Sequence, residues 1–149
     1  MALESKIRED LKEALKRHED ARISTLRLLL SEIHNTQIAK QRTLDDEAVV
    51  EVISKEVKRR RESIEGFTQG KRDDLVAKEE QELGVLLEYL PRQLSREELA
   101  NAAREAIDEV GAQGMKDKGK VMSRLMPRVK GQAEGAEVSE VVSELLGRT

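Results

Sequence analysis

The chain has 149 residues, of which 38% are charged and 38% hydrophobic, while aromatics make up only 1%. That length suits one ordinary domain or two small ones, and a formal charge of −3 argues against a generally basic nucleic-acid binder, so any such role rests on a local patch. The absence of cysteine removes disulfides, thiol catalysis, iron–sulfur clusters and cysteine-bound zinc, while the aliphatic content, led by leucine, is that of a chain that folds.

The amino end reads as a charged helix and not as a signal peptide, and no apolar run nears the roughly 20 residues that cross a bilayer. A soluble cytoplasmic protein with no membrane contact is the expectation. Leu3, Ile7, Leu11 and Leu15 recur every fourth residue and predict a first helix with one apolar stripe. Asp20 is placed to cap a second helix, whose Ile23, Leu26, Leu29, Leu30, Ile33 and Ile38 form a broad face. Leu28 lies off that face, which predicts contact from two sides. An acidic turn at Thr43 to Glu47 opens a third helix bearing Val49, Ile53, Val57 and Ile64, ending near Gly66 to Gly70. A fourth runs from Lys71 to Leu90. No alternating β-branched run predicts a strand.

Pro91 stops the fourth helix. Beyond it, Ser95-Arg-Glu-Glu98 reads as a capping box, with Leu94 and Leu99 where a hydrophobic staple would sit. A domain break at 91–94 follows, giving an N-terminal domain over 1–92 and a second over 93–149, the latter small enough to be marginally stable alone. Its helices read as Arg96–Val110, Lys118–Val129 with Pro127 bending it or ending it early, and Glu137–Leu146. The predicted fold class is all-α: a four-helix N-terminal domain followed by a small three-helix C-terminal bundle.

Catalytic chemistry finds few residues to work with. The only histidines, His18 and His34, lie near no matched serine and aspartate, and a di-iron Glu-x-x-His pattern fails because Leu15 and Ser31 stand three residues before them. Gly114 to Lys120 has the spacing of a phosphate loop, but Val121 follows where the magnesium-binding hydroxyl belongs. No catalytic residue, metal site, cofactor or small-molecule substrate is assigned. What survives is a Gly-Lys pair opening a helix, where free amides, dipole and ammonium suit an anion.

Charge distribution carries the functional signal. Over residues 115–132 the cations Lys116, Lys118, Lys120, Arg124, Arg128 and Lys130 face Asp117 alone. Lys120, Arg124 and Arg128 are four apart and share a helical face, a spacing that suits phosphates along a nucleic-acid backbone; a solubilising face opposite Val121, Met122, Leu125 and Met126 is the plainer reading of the same pattern. No acid within the stretch neutralises the row. The second cluster, Lys58, Arg59, Arg60 and Arg61, fans around its helix, and Glu51–Lys55, Lys58–Glu62 and Arg61–Glu65 are spaced to pair along it. With Phe67 and Tyr89 as the only aromatics, RNA contact would be to shape and phosphate, not to stacked bases.

Together these motifs resemble a known family. Arg27 to Ile33, Lys58 to Phe67, and Gly70 to Leu75 with Lys78-Glu79 are similar to the N-terminal half of the YqeY-like family; Glu88 to Ser95 resembles its interdomain signature. Gly119 to Gly135 resembles its C-terminal motif, shared with the tail domain of the GatB component of glutamine-dependent tRNA amidotransferases. The resemblance implies a link to tRNA, with Gly119, Lys120, Lys130 and Gly131 as the matching positions; Gln132 stands where the family often has another basic residue. It brings no catalytic residues, since the amidotransferase active sites lie in domains this chain lacks, and a carbon–nitrogen ligase label attached through the tail would be inherited. The resulting expectation is a non-catalytic accessory protein that binds tRNA, or a tRNA-handling enzyme, through Lys118, Gly119, Lys120, Arg124, Arg128, Lys130 and Gly131. Five phosphate contacts would give a slope of log K against log salt of about −3.5 to −4.5. The rival expectation is a protein–protein adaptor using the second helix around Leu28.

Overall fold

The computed structural model describes residues 2–148. Among these, seven α-helices and one 3-10 turn account for all the regular structure, and there is no strand. The helices are α1 (Ala2–Arg17), α2 (Asp20–Lys40), α3 (Asp46–Gln69), α4 (Asp73–Leu87), α5 (Arg96–Val110), α6 (Lys118–Val129) and α7 (Gly135–Leu146), with the turn at Met115–Asp117 before α6. Contacts divide the chain into two compact units, one ending at Leu90 and the other starting at Pro91.

In the first unit α3 packs chiefly on α4 and α1 on α2. Ile7, Leu26, Leu29, Ile33, Val49, Ile53 and Leu86 fill the core at 0–1% exposure. The stripe expected on α1 is corrected at its end: Leu15 is 41% exposed and Ala14 is buried in its stead. A step of four residues overshoots the helical repeat by about 40°, so three steps carry Leu15 roughly 120° off the face that Leu3 starts. Ile38, five residues and about 140° of helix past Ile33, also lies off the face of α2 and is 63% exposed. Leu28 is 51% exposed, so within the unit α2 is covered on one side only. Asp20 does not cap α2: Glu19 occupies the cap position without a side-chain hydrogen bond, and Asp20 is the first helical residue. His18, exposed and in the left-handed region at φ 56°, turns the chain between α1 and α2, while His34 is an exposed residue of α2. The start of α3 does follow its sequence signal, since the Asp45 carboxylate accepts from the Ala48 amide at 2.8 Å. α4 is shorter than expected at both ends: Lys71 sits in the left-handed region before it, and past Leu87 the amides of Tyr89 and Leu90 donate three residues back in tight turns.

In the second unit the capping box forms as the sequence predicts. The Glu98 amide donates to Ser95 Oγ at 3.1 Å, and the Ser95 amide donates to the Glu98 carboxylate at 3.0 Å. α5 ends at Gly111, whose φ of 65° is the left-handed closure that glycine adopts without strain. Ala103 and Ala106 are fully buried on α5, and their small size lets α6 and α7 approach closely, with Val121, Leu125, Val138 and Val142 completing the core. Pro127 neither ends nor divides α6, which runs unbroken to Val129. Near the end of a helix a proline forfeits one hydrogen bond and leaves the remaining turns intact.

Candidate nucleic-acid interface

The inward stripe of α6, Val121, Leu125 and Val129, is buried at 0–2% exposure and fixes the rotation of the helix. Lys120, Arg124 and Arg128 each precede one of these residues, so all three lie along one flank, and all are exposed. The row is thus continuous, as expected from the sequence. It is not unopposed. Glu109, in the last turn of α5, takes both arginines on one oxygen: Arg124 Nε donates to Glu109 Oε2 at 2.8 Å, and Arg128 Nη2 donates to the same atom. The hydrogen bonds from Arg128 and then Arg124 hold the Glu109 carboxyl down to about 2. The Glu109 hydrogen bond in turn raises Arg128, with the Glu105 charge adding to it. The expectation that no acid answers the row is therefore corrected at Arg124 and Arg128. The answering carboxylate comes from a neighbouring helix, where a count of charges within residues 115–132 does not look.

The amino end of the row is different. Lys116 and Lys120 are exposed, Lys118 is half-buried, and none of the three forms an ion pair among the described residues. They surround the first turn of α6, whose Lys118 amide donates to the Met115 carbonyl of the preceding 3-10 turn. Gly119 lies between two of them, and a Cβ built there meets nothing within 4 Å. Packing therefore does not demand a glycine at this position, and its absent side chain leaves the backbone open to close approach. Asp117, the one acid of the stretch, accepts from the Gln113 amide at 2.9 Å. Lys130 is engaged with a neighbour and does not belong to this unpaired group.

Gly131 takes a turn role. Its φ of 78° is left-handed, and its carbonyl accepts from Gln93 Nε2 at 2.7 Å. The Leu94 amide donates to the Gln132 carbonyl at 2.9 Å, and Gln132 Nε2 donates to the Arg92 carbonyl at 3.2 Å. Gln132 thus spends its side chain lacing residues 92–94 to the end of α6, a task invisible in local sequence because the partners lie some forty residues apart.

The Lys58 to Arg61 cluster is largely a fold element. Arg60 turns inward, its side chain 14% exposed, with Nε 3.0 Å from Glu82 and 3.5 Å from Glu79 on α4 and Nη1 3.9 Å from Glu56. Arg59 donates to Glu56 at 3.0 Å. Both reach back to Glu56 and, for Arg60, across to α4, whereas the forward pair expected between Lys58 and Glu62 does not form. The cluster fans around its helix, and Arg60 takes its main partners from α4 as well as from its own helix.

Grooves of about 430 Å³ beside Arg22, Gly84 and Glu88 and about 400 Å³ beside Asn101, Glu105 and Arg128 bring together carboxylates, arginine and amides, and neither holds a serine or histidine that could serve as nucleophile or base. Among the described residues no three histidine, aspartate or glutamate side chains gather as metal ligands, and no helix is long and apolar enough to cross a membrane.

Comparison with known proteins now gives these features a context. A family model described as YqeY-like protein matches residues 4–146, and the chain belongs to that family. A protein named altered inheritance of mitochondria protein 41, mitochondrial, from Pyrenophora tritici-repentis is 33% identical over 148 residues, covering 95% of this chain and 80% of that protein. Proteins of the same name from Eremothecium gossypii and Lachancea thermotolerans are 38% and 40% identical, over 70% and 56% of this chain. The chain spans 58% and 46% of the length of those two. Neither the family description nor these names state a reaction. They do overturn the cytoplasmic location expected from the sequence, because the relatives are named as mitochondrial proteins. Charge and low hydropathy report on solubility, and solubility is common to many compartments.

Proposed function

We propose that this chain is a non-catalytic accessory protein that holds tRNA, or a tRNA-handling enzyme, through its tail, a three-helix bundle of α5, α6 and α7 set apart from a four-helix N-terminal domain. One observation carries the reading: Lys116, Lys118 and Lys120 crowd the amino end of α6 without ion pairs among the described residues, in a chain whose net charge is −3. Ammonium groups, the positive end of the α6 dipole and the bare backbone at Gly119 suit a phosphate, and the resemblance of this tail to that of the tRNA amidotransferase supports tRNA as its source.

Filter binding of unfractionated tRNA to the full chain tests this. Three lysine contacts predict a slope of log K against log salt of about −2 to −3, shallower than five contacts would give. Lys120→Ala lowers affinity for all tRNAs alike and reduces the slope by about one unit. Equal binding of tRNA and of an unrelated acidic polymer at about 150 mM salt overturns the reading.

A second reading, a protein–protein adaptor, draws on Leu28 and Ile38, two large apolar side chains on α2 that are 51% and 63% exposed. Nuclease treatment of a pull-down separates the two: partners held through RNA are released, and partners held on α2 stay.

A further inference from the structure

Glu109 is oddly placed for a helix. It sits in the last turn of α5, which carries no basic residue there, and a carboxylate at that end opposes the helix dipole. What stabilises it is α6. Two guanidiniums one turn apart, Arg124 and Arg128, converge on the same Glu109 oxygen, and all three side chains remain 37–53% exposed. Two guanidiniums around one singly charged acceptor is also the arrangement that a phosphodiester takes, with one charge and oxygens open to planar donors. The buried stripe of α6 fixes where both arginines start, so the seat persists when its occupant changes. An ion pair this exposed adds little to stability and exchanges readily.

We infer that Arg124 and Arg128 form one seat for a single RNA phosphate, and that Glu109 fills it in the free protein, so that binding exchanges carboxylate for phosphate. The inference rests on the proposed RNA-binding role of the tail and goes beyond it: the two arginines serve one phosphate, and Glu109 is the internal competitor that sets the affinity. The groove lined by Glu98, Glu105, Arg128 and Gln132 touches the seat at Arg128 alone.

The test uses the full chain and unfractionated tRNA. Glu109→Gln keeps the shape and removes the competing charge, and it tightens binding about two- to fivefold. Asp108→Asn, one residue away on the same turn, removes the same formal charge without touching either arginine and leaves affinity within error. Arg124→Gln added to Glu109→Gln abolishes the gain. Replacing both arginines by glutamine lowers the magnitude of the salt slope by about 0.7 to 0.9, the share of one phosphate. The inference is overturned if Asp108→Asn tightens binding as much as Glu109→Gln, which marks a general field effect, or if Glu109→Gln leaves binding unchanged or weakens it, which marks a scaffold. It is also overturned if the double arginine variant loses twice that slope. Failure of the underlying reading looks different: wild type and every variant then show no preference for tRNA, and Lys120→Ala changes nothing.

Discussion

Two ion clusters in this molecule use the same chemical groups to opposite ends. In the first unit one guanidinium, Arg60, sits among three carboxylates with its side chain 14% exposed and that of Glu82 7% exposed. In the second, one carboxylate, Glu109, sits between two guanidiniums and all remain open to water. Burial decides what each can do. A charge removed from water cannot lose its partner without a large desolvation cost, so the Arg60 cluster joins α3 to α4 as part of the fold. A charge in water can change partners, so the Glu109 cluster belongs to the surface. The excess sign matters as well: acid in excess repels a polyanion, and base in excess attracts it.

The largest effect that could break this contrast is Arg60→Ala. It strands Glu82 and Glu79 of α4 in a dry site, while Glu56 keeps Arg59, and costs about 3–5 kcal/mol in urea denaturation followed by circular dichroism. A loss below about 1 kcal/mol would mean that the first cluster is as well solvated as the second. Next comes Ser95→Ala, which removes one half of the capping box and costs about 1 kcal/mol in the same measurement, felt in the second unit alone. The pH dependence sharpens the comparison further. Glu98, held by Arg92 and the Ser95 amide, and Glu109, held by Arg128 and Arg124, both lie near 2 when folded, against an ordinary 4.5. Their folded values are depressed, so the stability they lend is complete above pH 4.5 and fades as the pH falls toward 2. Thermal melts between those limits fall less steeply in the Glu98→Gln, Glu109→Gln double variant than in wild type. The smallest effect belongs to Arg124→Gln, which changes stability by less than about 0.5 kcal/mol while weakening tRNA retention.

Features set by near neighbours are legible in the sequence, and those set across the fold are not. The capping box, the glycine closure at Gly111, and the bounds of α5 and α6 depend on residues a few positions apart, and the sequence displays them directly. The stripe on α1 breaks at Leu15 because a spacing of four drifts off a helix that turns every 3.6 residues. The basic row is legible because Lys120, Arg124 and Arg128 repeat in register with Val121, Leu125 and Val129. Its restraint is not, since Glu109 lies 15 and 19 residues away on another helix. Arg60 hides for the same reason: among neighbours such as Arg59 and Arg61 nothing local marks it as the one that turns inward toward α4. The compartment is illegible on physical grounds, because a charged surface is compatible with any aqueous space.

The lacing of residues 92–94 onto Gly131 and Gln132 has a practical consequence for dissecting the protein. A fragment cut at Ser95 retains every helix of the tail but leaves the Gln132 carbonyl and the Gln93-bound loop without their partners, so an excised tail has to begin at Pro91. In hydrogen–deuterium exchange the Leu94 amide, although it precedes the first helical turn, should then report on the intactness of the whole excised piece, opening in step with its slowest core amides.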